Sequence, residues 1–203
     1  CSYTKNEYHQ YDGIIDTPDM PLEKSLAFTV KPTQIKEAVF SVINTINQDS
    51  DKAFATFSAR SELSEGLLAS INIREFSQLS DEPQSLGGTN LGPNPVEIVL
   101  GALGACQEIV VKAYASVLGI DVQKVSVEAH GHLDLRGFFN QSDERPGFTS
   151  IEFKTTIETL ETDQEKLAQL YHFTENRCPV LDIIQNAVPS KGVIEFVAPK
   201  EHL

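Results

Sequence analysis

The chain has 203 residues and a formal net charge of −13, with 29 acidic against 16 basic side chains. That length suits one domain with a sizeable core, or one domain with an appendage. Its acidity speaks against nucleic-acid binding, no apolar run reaches the roughly 18 to 20 residues of a membrane span, and three cysteines are too few for a disulfide scaffold.

Sparse cysteines point to a reducing compartment, the cytoplasm. The first residue is Cys1 rather than Met, and two origins fit: a trimmed chain, or a mature lipoprotein whose signal ended before Cys1. Residues 1–24 carry Asp12, Gly13, Asp16, Pro18, Asp19 and Pro21 with little periodicity, and read as an irregular arm. Behind Pro32-Thr33, the residues Ile35, Ala38, Val39, Val42, Ile43 and Ile46 recur at helical spacing and predict a helix over about 33–47. Residues 1–50 form an N-terminal extension on this reading, and the domain proper spans 51–203.

Two strands are predicted next, Ala53 to Ala59 and Leu67 to Phe76, around a Glu65-Gly66 turn. A loop from Ser77 to Asn94 then holds Asp81, Gly87-Gly88 and Gly92-Pro93, and its length makes it a candidate functional loop. The most apolar helix follows, Pro95 to Leu118, with Asn94 as its cap and Gly119 as its stop. A helix apolar nearly all round must be covered on both sides, by a sheet, a second helix or a second subunit.

Alternation predicts strands from Val125 to Leu135 and from Phe148 to Thr159, with a hairpin or longer loop from Arg136 to Gly147 between them. Thr162 and Asp163 open a helix with Leu167, Leu170 and Tyr171 on its apolar side. Cys178-Pro179 opens a short helix through Val188, and Gly192 to Ala198 closes the chain as a strand. The order argues for an α+β fold with antiparallel sheets.

Two thiols stand out. Cys178 precedes a proline at a helix start, where unpaired amides and the helix dipole favour thiolate; a buried cysteine that happens to precede proline fits equally. Cys106 lies mid-helix among apolar residues, where most cysteines are small core hydrophobes and burial raises a thiol pKa. Gln107 and Glu108 follow it and interrupt the apolar surface. Asn94 and Glu97 match the capping-box spacing, so Glu97 reads first as a cap. Of the histidines, His130 and His132 share one strand face that reads as solvated, while His9, His172 and His202 are isolated. No metal site is predicted, and no Walker, Rossmann or nucleophile-elbow motif is present.

The run DEPQSLGGTNLGPNPVEIVLGALGAC, from Asp81 to Cys106, together with RPGFTSIEF and NRCPVLDII around Cys178, resembles the OsmC/Ohr family of osmotically induced and organic-hydroperoxide-resistance proteins. The resemblance covers roughly Lys52 to Val197 and implies an intertwined homodimer, with antiparallel sheets packed around a long buried central helix. It implies a thiol peroxidase acting on organic hydroperoxides and reset by an external dithiol, with no cofactor. Cys106 matches the attacking cysteine and Cys178 the resolving one. The best-known members place a Glu directly after Asn-Pro; here that position is Val96, with Glu97 one step later. They also carry an Arg on the N-terminal hairpin that stabilises the thiolate. Arg60 and Arg74 are the candidates for that cation, held by Glu97 or Glu108. Two rival expectations stand beside this one: a small-ligand-binding or redox-sensing module of the same fold, and an interaction protein whose first 50 residues dock a partner.

Overall fold

The computed structural model describes residues 30–198. The irregular arm expected over residues 1–24, Cys1, His9 and His202 lie outside the described residues. Backbone contacts divide the chain into Cys1–Lys31 and Pro32–Leu203, and every element below belongs to the second unit.

The first predicted helix is α1 (Pro32–Gln48). A 3-10 turn, Ser50–Ala53, follows, with the Asp49 side chain accepting the Asp51 amide. The strand expected over Ala53 to Ala59 does not form. Phe54 and Phe57 are exposed there, and the first strand is β1 (Arg60–Leu63). The stretch Leu67 to Phe76 is likewise two strands rather than one, β2 (Ala69–Ile73) and β3 (Phe76–Ser80). Arg74 and Glu75 turn the chain between them, with Arg74 at φ 55. Non-glycine residues seldom adopt that left-handed conformation, and the Asn-Gly pair that usually announces such a turn is absent. The three strands form an antiparallel sheet in the order β1-β2-β3, with Arg60 opposite Asn72 and Ile73 opposite Phe76. Apart from Ser80, every residue of β1 and β3 is exposed.

The long helix is α2 (Pro95–Leu118), with the predicted bounds. Asn94 Oδ1 accepts the Glu97 amide at 2.9 Å and Glu97 Oε2 accepts the Asn94 amide at 2.8 Å. Gly119, at φ 71, closes the helix. Then come β4 (Val122–Leu133), the short α3 (Leu135–Phe138), β5 (Phe148–Thr159), α4 (Gln164–Asn176) and α5 (Pro179–Gln185). β4 and β5 pair antiparallel in a second sheet. Helix α5 stops short of Val188, and Gly192 to Ala198 forms no strand. Val193, Ile194 and Phe196 alternate as a strand should, but no described strand lies beside them, and they are exposed.

The core sits on one side of α2. Leu103, Gln107, Val110, Val111 and Ala115 make a buried stripe at helical spacing. Val111 and Ala115 pack with Ile120, Val122 and Leu170, and Tyr114 stacks on Phe173 of α4 with ring centroids 4.3 Å apart. The cover expected around all of α2 is incomplete among the described residues: Ala102, Ala105 and Ile109 form an exposed stripe. Among the described residues no helix is long and apolar enough to cross a membrane.

Candidate functional site: a thiol pair beside an apolar cavity

Cys106 stands in the middle of α2, and Cys178 is the residue before α5. Burial of Leu170 and Leu181 seats α4 and α5 on α2 and carries Cys178 back to Cys106. The two sulfurs are 3.2 Å apart across 72 residues of sequence. Cys178 is buried, and Cys106 is half-buried.

As N-cap of α5, the Cys178 side chain makes no bond to its own helix. The Val180 amide, one of the unpaired donors of that first turn, lies near enough to the Cys106 sulfur to favour its thiolate. Burial pushes the Cys106 thiol up from its ordinary value, the Val180 amide pulls it down, and the neighbouring Cys178 thiol raises it again. Sequence reasoning gave the helix start to Cys178; the structure gives one of its amides to Cys106.

The other candidates are dispersed. Glu97 is occupied at the start of α2, nine residues or about 13 Å along the axis from Cys106. Glu108 lines a shallow groove with Gly104 and Val127. Arg60 heads β1, and Arg74, expected on a strand, sits in the β2–β3 turn with its guanidinium 5.1 Å from the centre of the Phe76 ring. Among the described residues neither arginine forms an ion pair, and no cation acts on the Cys106 thiol.

A cavity of about 410 Å³ shares wall residues with the cluster around the pair, though neither cysteine lines it. Leu103, Ile151, Phe153, Leu181 and Ile184 line it and also pack around the sulfurs. Its edge includes Arg145, from the loop expected over Arg136 to Gly147. A close approach fixes that loop: a Cβ on Gly137 would meet the Glu144 and Arg145 carbonyl oxygens at 2.5 and 2.7 Å. Phe148, also on the wall, lays its ring across Gly131 of β4. Nothing in the local sequence pattern marks Arg145, because a loop has no periodicity to read.

The loop between β3 and α2 is organised from within. Asp81 is buried, and its carboxylate accepts the amides of Glu82, Thr89 and Leu91 and the Thr89 hydroxyl. The Thr89 hydroxyl foremost, and then the amides, hold this carboxyl below the usual range. Gly88 passes so close to the Glu82 carbonyl that a side chain would not fit. His130 lies on an exposed strand face with Glu128 at 3.1 Å, and among the described residues no cluster of side chains could hold a metal.

Comparison with known proteins agrees with this architecture. An OsmC-like protein from Mycoplasma pneumoniae has 19% identity and a TM-score of 0.56, over 66% of this chain and 89% of that one. A Psychrobacter arcticus protein has 15% identity and a TM-score of 0.51, over 64% and 90%. An OsmC-like protein of unknown function from Vibrio cholerae has 12% identity and a TM-score of 0.50, over 64% and 94%. At these identities the likeness is one of fold. No curated protein matches the chain in sequence. The family model described as OsmC-like protein matches residues 88–191, which takes in the loop from Gly88 onward, the capped helix with Cys106, both long strands and the Cys178 turn, and on that match this chain belongs to the OsmC-like family.

Proposed function

We propose that the chain is a thiol-dependent peroxidase that reduces organic hydroperoxides through Cys106 and Cys178, as a homodimer in the reducing cytoplasm. The observation that carries this reading is the 3.2 Å contact of the two sulfurs across 72 residues. Cys106, the more accessible of the two, is the attacking thiol. Its thiolate takes the terminal oxygen of the hydroperoxide; the O–O bond breaks, the sulfur becomes a sulfenic acid, and the alkoxide takes up a proton and leaves as the alcohol. The Cys178 thiol then attacks the sulfenic sulfur, water leaves, and a disulfide forms. An external dithiol reduces that disulfide by exchange and is itself oxidised.

Burial opposes the first step, since it holds the proton on Cys106. A second copy supplies the missing cation on this reading. The exposed stripe of α2 and the three-stranded sheet are surfaces for that copy to cover, and Arg60 or Arg74 would then face the thiol, oriented by Glu108 or by the free oxygen of Glu97.

The test is consumption of cumene hydroperoxide in the presence of a dithiol, by the wild type, Cys106→Ser and Cys178→Ser, with light scattering on the same samples. The expected result is turnover lost in both variants and a particle of twice 22.4 kDa. Background consumption by the wild type would instead favour a ligand-binding or redox-sensing module, and a 22.4 kDa particle would remove the dimer.

A further inference from the structure

We infer that Gln107 is the positioning residue of the thiol pair: from inside the core it holds the end of α4, and so fixes where Cys178 meets Cys106. The inference rests on the contact of the two thiols, and it deepens the peroxidase reading by saying what aligns Cys178 for the resolving step.

Placement gives the first argument. Gln107 is wholly buried, in the stripe of α2 that otherwise carries Leu103, Val110, Val111 and Ala115. Its Nε2 donates to the Thr174 carbonyl at 3.5 Å, across 67 residues of sequence. That carbonyl is one of the last four of α4, which have no partner within their own helix. One residue earlier, the Phe173 carbonyl accepts the Arg177 amide, so the backbone closes the helix there and leaves the next carbonyl to a side chain. Cys178 stands four residues beyond Thr174. Consecutive residues of α2 therefore grip the α4–α5 junction on both sides: Gln107 before it, at Thr174, and Cys106 after it, at Cys178. Their side chains leave α2 about 100° apart, so any turn or slide of α2 against the junction changes both contacts at once.

Cost gives the second. Among the described residues, Gln107 Oε1 and Thr155 Oγ1 are buried without a partner. The two belong to one seam of the core. Thr155 lies on β5 between Phe153, which packs around the sulfurs, and Ile157, which packs with Val111. Gln107 lies on α2 between Leu103 and Val111, members of the same two clusters. A buried acceptor left without a donor is a loss to the fold, and an apolar side chain of the same length would avoid it. Stability alone does not call for glutamine at this place. What an apolar residue could not supply is the carboxamide's hold on the Thr174 carbonyl. A junction released from it gives Cys178 more freedom in the dithiol, which the disulfide must then give up, so the bond becomes harder to form.

Wild type, Gln107→Met and Gln107→Met/Thr155→Val are equilibrated with mixtures of reduced and oxidised dithiothreitol, and alkylated Cys106 and Cys178 are mapped by mass spectrometry. Each exchange oxidises two protein thiols to the disulfide and reduces one dithiothreitol disulfide to its dithiol, with no hydroperoxide present. The equilibrium constant for the Cys106–Cys178 bond should fall about ten-fold in Gln107→Met, the effect of one lost hydrogen bond, which is a rise of about 30 mV in its potential. The double variant removes both orphaned atoms and should show the same fall, with a higher Tm than Gln107→Met. A residue that only packs would lower the Tm of the reduced chain and leave the potential where it was, so equilibrium constants within about two-fold of wild type in both variants would overturn the inference. In excess cumene hydroperoxide, Gln107→Met should also accumulate more Cys106 sulfinic acid than wild type, because slow resolution leaves the sulfenic acid open to a second oxidation. A wild type that ignores the hydroperoxide while the ten-fold difference in equilibrium holds would sustain the positioning role and defeat the peroxidase reading alone.

Discussion

Gly131→Ala sets two effects of opposite sign against each other. On backbone grounds the change should help, because glycine in a strand gives up about 0.5–1 kcal/mol relative to alanine. The structure opposes it: a Cβ on Gly131 would stand 2.7 Å from Cδ1 and from Cζ of Phe148, and nearer still to Cε1. No carbon pair tolerates that separation, so the ring must leave its place at a cost of about 1–3 kcal/mol. The net expectation is a loss of about 1–2 kcal/mol, a drop of about 2–8 °C in Tm for a chain of this size. The chain has no tryptophan, so the transition is followed by circular dichroism at 222 nm, at one fixed protein concentration. With Phe148→Ala as background the obstruction is gone, and Gly131→Ala should change sign to a gain of about 0.5–1 kcal/mol. A Gly131→Ala chain that melts above the wild type, or a change of the same size and sign in both backgrounds, would refute the reasoning.

Asp81 gives a pH dependence. Its carboxyl is held below the ordinary value, so the stability it contributes is complete above the unfolded value near ~3.9 and is lost as pH falls through the lower folded one. Asp81→Asn should therefore lower the denaturant midpoint at pH 7, and the gap from wild type should narrow below about pH 4. Asn94→Ala removes one half of the capping box and should cost about 1 kcal/mol in a denaturant titration, whereas Glu97→Gln keeps an acceptor and should cost less. Leu103→Ala empties a fully buried position that packs in the cluster around the sulfurs and lines the cavity and should cost about 2–5 kcal/mol by thermal melting.

Helix α2 was legible to the residue because both of its ends carry local chemistry: Asn94, Pro95 and Glu97 at the start and Gly119 at the stop. The β4–β5 ribbon was legible from alternation, which each strand keeps over ten of its twelve residues. The failures lie where a partner decides. Val193, Ile194 and Phe196 alternate as well as β5 does, but a strand is a relation between two segments, and among the described residues no second segment lies beside them. The turn at Arg74 failed differently, since an arginine at φ 55 carries no turn signature. For the site, the family resemblance indicated the cysteine pair, but nothing local to Cys178 announces a thiol 72 residues away. That the Val180 amide serves Cys106, and that Arg145 edges the cavity, depends on how α5 and the loop before β5 are laid down, which only tertiary packing decides.

The sulfur contact also ties redox state to unfolding. A bond between Cys106 and Cys178 would close a loop of 72 residues and take roughly 4 kcal/mol of chain entropy out of the unfolded state. The thermodynamic cycle runs both ways: the folded chain then favours the bond over the free thiols by the same amount, relative to the unfolded chain. A reductant acting on that bond would work against the fold as well as against the sulfur chemistry. The reduced chain would open more often than the oxidised one, and a protease that cuts only open chains would read the oxidation state of the protein as its lifetime.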